Sequence, residues 1–219
     1  GIGGDCFALF NTPGTDDVQG FNGSGRAPGG ISSDALRAAE HSVIPINAPE
    51  AVTVPGAIDA FCRLSESHGK LGIDALLAPS IHYAKEGVPV APRVAYDWPG
   101  DAESLSGHAI THYSKAGEPF GVGDVFRAPG QAEVLRRVAK HGRDAFYTGE
   151  VADDMISALR EHGGVHRQDD FASTKGTPTE PVSGHYKGVE LLEHPPNGQG
   201  AAAILLLNIL KHFDLASMD

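Results

Sequence analysis

Residues 188–215 read G-V-E-L-L-E-H-P-P-N-G-Q-G-A-A-A-I-L-L-L-N-I-L-K-H-F-D-L, and the part that could do chemistry is the turn at 195–200. Pro195 and Pro196 break the strand before them, and Gly198 and Gly200 free the backbone for a sharp entry into a helix. Amides exposed at such a helix start could face an anion or a developing oxyanion. The same pattern equally serves as a tight turn that lets an apolar helix pack close to a sheet, the commoner use of short glycine motifs. Other reactive types are scattered. His108 and His112 are spaced i, i+4 on one helix face, but with no third ligand and no H-E-x-x-H they read as solvated histidines. Asp153-Asp154 and Asp169-Asp170 suggest paired carboxylates for acid–base work. Adjacent residues on a helix do not face one another, so Asp153-Asp154 reads as a solvated turn. Cys6 and Cys62 have apolar neighbours and no metal-like spacing, which fits buried free thiols and leaves a disulfide open.

The elements that must position these residues follow from periodicity. Residues 1–10 lead through glycines into an apolar strand over 6–10, expected in the middle of a sheet. A hairpin-type turn at 11–17 returns the chain as a strand over 18–21 into the glycine-rich segment F-N-G-S-G-R-A-P at 21–28. Ser33 suits the N-cap of a short helix over about 34–41. Ile58, Phe61, Cys62 and Leu64 fall at helical spacing, and Gly69 marks that helix's end. A second helix spans 73–86, with Leu76, Leu77, Ile81 and Ala84 on one face and Gly87 closing it. Residues 91–120 are polar and irregular. An amphipathic helix spans 129–141, with Val134, Leu135 and Val138 inward and Gly142 ending it. Another covers 151–162, with Met155, Ile156 and Leu159 buried. The run 189–192 reads as a buried strand, and 201–210, apolar on all sides, as a buried core helix.

With 219 residues, 41% hydrophobic and 21% charged, the composition is that of an ordinary globular chain. A net charge of −11, spread without a long acidic run, argues against nucleic acid or an anionic membrane as partner. No run of eighteen apolar residues is present. No repeat or linker interrupts the chain, so residues 1–219 read as one structural unit. No cofactor or metal site is suggested.

P-P-N-G-Q-G followed by L-N-I-L-K-H-F-D-L closely resembles the P-P-P-S-S-G-G…L-N-I-L-E-x-F-D-L segment of the gamma-glutamyltransferase family. The opening G-I-G-G-D-C-F is similar to that family's G-I-G-G-G-G-F, with Asp5 where glycine is usual. V-P-G at 54–56 and the helix pair ending E-G-V-P-V also follow its pattern, as do F-Y-T-G-E-V-A and G-G-V-H-R-Q-D-D-F. The likeness is loosest over 91–120.

The resemblance implies an α/β (α+β), helix-rich part of an N-terminal-nucleophile hydrolase, whose complete fold is an αββα sandwich. It implies a precursor that cuts itself into two subunits, with an N-terminal threonine on the small subunit as nucleophile. These residues then form part of the large subunit, with its beginning, its end and the small subunit expected elsewhere. No catalytic residue is expected in this chain; Thr53, Thr111 and Thr148 lie in the wrong motifs. The implied partners are the small subunit of the same precursor and a small-molecule γ-glutamyl or acyl amide substrate.

The large subunit's implied task is substrate recognition. An arginine in a segment like D-x-R-E-x-A-P holds the α-carboxylate of the γ-glutamyl group in this family. Aligning Ala27-Pro28 on that A-P puts Ser24 at the arginine position and Gly25 at the glutamate, with Arg26 two residues on. Losing a forked guanidinium removes a charge-assisted contact worth about 2–3 kcal/mol. Ser24 and Arg26 are therefore the candidate substrate-binding residues. A related amidohydrolase or acylase for other small amides becomes an alternative, as does a non-catalytic scaffold on the same fold. The compartment stays open between cytoplasm and periplasm.

Overall fold

A computed structural model describes residues 1–38, 42–102, 105 and 107–218. In chain order the elements are β1 (Cys6–Asn11), β2 (Val18–Gly23), α1 (Ser33–Ala38), α2 (Ala57–His68), α3 (Ile73–Glu86), β3 (Val88–Pro89) and α4 (Pro92–Ala102). There follow α5 (His108–Tyr113), β4 (Val125–Phe126), α6 (Pro129–His141), α7 (Asp144–Tyr147), α8 (Glu150–Glu161) and α9 (Gln168–Ala172). The chain closes with β5 (Thr177–Thr179), β6 (Val182–Tyr186), β7 (Val189–Glu193) and α10 (Gly200–Leu210). These elements group into two compact units: Gly1–Pro28 with Thr53–Arg63 and Ser173–Asp219, and Gly29–Val52 with Leu64–Ala172.

The first unit holds β1, β2, β5, β6 and β7. β1 and β2 form an antiparallel hairpin running from Cys6↔Gly23 to Asn11↔Val18, and β5 adds to the far side of β2 through Gly20↔Thr179. β1 therefore lies at an edge of this sheet among the described residues, not in its middle as the sequence suggested. Its residues alternate between half-buried and exposed, as successive side chains of a strand point to opposite faces. β6 and β7 form a second hairpin across Lys187 (φ 48°) and Gly188 (φ 82°). Two consecutive left-handed residues match the twist of the flanking strands.

α10 packs on that hairpin so closely that a Cβ on Gly184 would come within 2.8 Å of Ile204 Cγ2. The sequence suggested a helix buried all round. Instead Gly200 alone is buried, while Leu205, Leu206 and Ile209 are 63%, 55% and 59% exposed. Val189 is also exposed, against the expected buried strand. The hairpin covers one side of α10, and nothing among the described residues covers the other.

The second unit is mainly helical, with the short antiparallel pair of β3 and β4. α3 packs against α6, burying Leu77, Ala132, Leu135 and Val138. Val134 is half-buried and Leu76 exposed, so the inward stripes are narrower than the sequence suggested. Phe146, Tyr147, Ile156 and Phe171 form a second core where α7, α8 and α9 meet. Gly87 (φ 95°) and Gly142 (φ 71°) close α3 and α6, each amide bonding the carbonyl four residues back. The irregular stretch resolves into α4 and α5 around an aromatic cluster of Trp98, Tyr113, Phe120 and Phe126. Trp98 Nε1 donates to the Tyr113 carbonyl at 2.8 Å. The cap of α1 is Ser32 rather than Ser33, its Oγ accepting from the Ala35 amide. The end expected for α1 near residue 41 lies outside the described residues.

Candidate functional site

The site is built in the strand-bearing unit, where the loop leaving β2 meets the turn that enters α10. The loop is held flat against the backbone before α2. A Cβ on Gly25 would stand 1.5 Å from the Val54 carbonyl oxygen, and one on Gly56 only 2.1 Å from that of Gly23. Glycine is required at both places because the chains touch backbone to backbone. Val54 N donates to the Arg26 carbonyl at 3.0 Å, and the amides of Gly56 and Ala57 both donate to the Gly4 carbonyl. The glycines that open the sequence thus hold the first amides of α2.

Three side chains join the loop to the turn. The Ser24 amide donates to Asn22 Oδ1 at 2.9 Å. Asn22 Nδ2 donates to Asn197 Oδ1 at 3.0 Å, and Asn197 Nδ2 donates to Ser24 Oγ at 3.2 Å. The ring closes across 173 residues of sequence. Below it, buried His194 fixes the turn: Nδ1 lies 2.9 Å from the Pro195 carbonyl, and Nε2 lies 3.2 Å from the Phe21 carbonyl and 3.3 Å from Thr179 Oγ1. Its ring meets Phe7 edge-on at 5.0 Å. Gly200 is needed for the same close approach, since a Cβ there would stand 2.4 Å from the His194 carbonyl oxygen.

Deeper in this unit, Asp59 is fully buried on the first turn of α2. Its Oδ2 accepts the Gly176 amide at 2.7 Å and lies 2.9 Å from Arg63 Nε. Gly176 in turn abuts the Phe21 ring, where a Cβ would stand 2.5 Å from Cε1. The carboxylate therefore anchors the segment leading into β5 beside β2.

Of the two residues chosen from the sequence, Ser24 is in the ring and half-buried. Arg26 is exposed, and its guanidinium meets no hydrogen-bond or ion-pair partner among the described residues. Asn22, Asn197, His194 and Asp59 were not singled out. Asn197 carried a faint signal, a turn residue before glycine, but nothing local joins it to position 24. His108 and His112 sit exposed on α5, and no cluster of potential metal ligands occurs among the described residues. Asp153 accepts from Gln168 Nε2, while Asp170 accepts from the Gly29 and Arg167 amides, each at 2.9 Å. Asp153 thus bonds a side chain, and Asp170 two backbone amides, one of them 141 residues away in sequence. Both cysteines are free, and burial, followed by the neighbouring Asp5, pushes the Cys6 thiol up. A thiol so shifted is protonated at neutral pH and a poor nucleophile.

The sequence pattern described as gamma-glutamyltranspeptidase matches residues 1–219. The chain belongs to that family. It is 32% identical over 222 residues to the glutathione hydrolase-like YwrD proenzyme of Bacillus subtilis, which covers all of this chain and 42% of that relative. The crystal structure of cephalosporin acylase from Bacillus halodurans matches 98% of this chain and 41% of its own at 37% identity, with a TM-score of 0.89. Helicobacter pylori gamma-glutamyltranspeptidase shares the fold with a TM-score of 0.90 at 23% identity, over 100% of this chain and 64% of that one. This mixed, helix-rich chain thus has the α/β fold of the N-terminal-nucleophile hydrolases in the gamma-glutamyltranspeptidase family. It spans about two fifths of the length of the curated relatives it matches.

Proposed function

We propose that these residues are the substrate-recognising, large-subunit portion of a gamma-glutamyltranspeptidase-family enzyme that transfers or hydrolyses an acyl group held as an amide. The observation carrying this reading is the family match along the whole chain, set against relatives that are proenzymes more than twice its length. The nucleophile is an N-terminal threonine on the small subunit, outside these residues. Ser24 faces the acyl group of the substrate and Arg26 flanks it. The open side of α10, with Leu205, Leu206 and Ile209, is where the remainder of the proenzyme packs. The isolated chain is accordingly expected to bind an apolar dye such as anilinonaphthalene sulfonate, and to lose that binding when the remainder is co-expressed. A monomer that binds no dye and unfolds cooperatively at high temperature would contradict this.

The acyl group is not expected to be γ-glutamyl. A serine hydroxyl is short and neutral and cannot replace a guanidinium fork against a carboxylate. The neutral ring of Asn22, Ser24 and Asn197, together with the 37% identity to a cephalosporin acylase, favours a small-acid amide or another acyl amide. The test is kcat/KM for γ-glutamyl and simple acyl anilides with the complete, processed protein, its Arg26→Ala variant and its Ser24→Arg variant. Wild type should prefer the simple acyl anilide, and Ser24→Arg should raise γ-glutamyl turnover by about tenfold or more. Efficient γ-glutamyl turnover by wild type, unchanged in Arg26→Ala, would show that the carboxylate is held elsewhere.

A further inference from the structure

The ring of Asn22, Ser24 and Asn197 has a direction, and the direction decides what Ser24 can offer a substrate. Each primary amide has one oxygen with two lone pairs and two donor protons, and a serine hydroxyl has one proton and two lone pairs. Asn22 Oδ1 is occupied by the Ser24 amide, Asn197 Oδ1 by Asn22 Nδ2, and Ser24 Oγ accepts from Asn197 Nδ2. Every bond in the ring uses an acceptor. Among the described residues, one proton on each asparagine amide, the Ser24 hydroxyl proton and one lone pair on each ring oxygen remain unspent. Because Asn197 donates to Ser24 Oγ, the hydroxyl keeps its own proton for a group outside the ring. The backbone cannot swing this arrangement away, since Gly25 lies against the Val54 carbonyl and His194 ties the turn bearing Asn197 to β2 and β5.

We infer that Asn197 is a positioning residue that fixes Ser24 as a hydrogen-bond donor, making this a neutral subsite whose hydroxyl proton meets an acceptor oxygen on the acyl chain of the substrate. The inference rests on the reading above that Ser24 faces the acyl group. The ligand class follows from the direction of the Ser24 hydroxyl. An ester, ether, amide or hydroxyl oxygen on the acyl chain accepts from the Ser24 hydroxyl with no need of a counter-charge. The role of Asn197 is to orient the proton, without touching substrate.

The decisive variant is Asn197→Asp in the complete, processed protein. It is isosteric and still accepts from Asn22, so the turn is preserved. Its carboxylate cannot donate, so the Ser24 hydroxyl must turn its proton inward to it. An acyl anilide bearing a carbonyl oxygen on its chain is assayed beside an all-methylene anilide of the same length, with thermal melting as a check on folding. Ser24→Ala and Asn197→Asp are each expected to lower kcat/KM for the oxygen-bearing substrate about tenfold. The loss should fall mainly on KM, with the methylene substrate little changed. The double variant should be no worse than either single one, because both remove the same contact. As the pH falls through about 4, protonation of the introduced carboxyl restores a donor, so the activity of Asn197→Asp relative to wild type should rise. If Ser24→Ala leaves both substrates unchanged, the reading that Ser24 faces the acyl group fails. If Ser24→Ala lowers turnover of the oxygen-bearing substrate but Asn197→Asp matches wild type at neutral pH, the positioning role is overturned.

Discussion

Replacing Asp59 with alanine is expected to lower the unfolding free energy of the protein by about 3 kcal/mol. The carboxylate has no exposed surface, and Gly176 N donates to it at 2.7 Å. Removing it leaves a buried amide without an acceptor and Arg63 without its carboxylate, and an unsatisfied buried group costs about 1–3 kcal/mol. Arg63 is about a third exposed, 36% by side-chain area, so its charge can turn to water, which keeps the loss at the lower end for a broken buried pair. Asp59→Asn retains an acceptor for Gly176 and loses only the charge, so about half that cost is expected. Urea unfolding checks both, read as a shift in midpoint at unchanged slope. An Asp59→Ala midpoint equal to that of wild type would show that the carboxylate does not hold the segment before β5.

The helical unit was the more legible part of the sequence. α3 and α6 begin and end where glycine and proline punctuate the periodic pattern, and the expected spans 73–86 and 129–141 coincide with the helices found. α4 and α5 were not read because Pro99 interrupts the first and irregularly spaced aromatics hold both. The strand-bearing unit was misread in one consistent way. Apolar residues on every side of 201–210 and along β1 indicate surfaces that avoid water, but not whether the cover lies within the same residues. The sequence therefore suggested a buried helix and a central strand where the structure has an open helix face and an edge.

At the site, Ser24 was legible as a departure from the resembled pattern, a comparison that needs one position only. Its partners were not, because a hydrogen bond from Asn197 joins positions 173 residues apart and no local propensity encodes it. Asp59 was hidden for another reason. An Asp and an Arg spaced i, i+4 near a helix start ordinarily form a solvated pair, and no local pattern encodes the Gly176 amide, 117 residues away, that this buried carboxylate accepts.

The threonines present illustrate why catalysis is assigned elsewhere. Thr148 closes α7, with both its amide and its Oγ1 donating to the Asp144 carbonyl, so its hydroxyl proton is already committed. Thr111 lies within α5, and Thr53 precedes the residue whose amide holds the Arg26 carbonyl. Each is joined through its nitrogen to the residue before it, and a threonine nucleophile activated by its own α-amino group needs that nitrogen free. Whether the nucleophile lies outside these 219 residues is tested most directly by assaying this chain, freed of any small subunit, for hydrolysis and transfer of γ-glutamyl and simple acyl anilides beside the complete, processed protein. The expected result is turnover by the complete protein and none above the uncatalysed rate by the chain. Turnover by the purified chain that a substitution within it abolishes, with contamination excluded, would contradict the assignment.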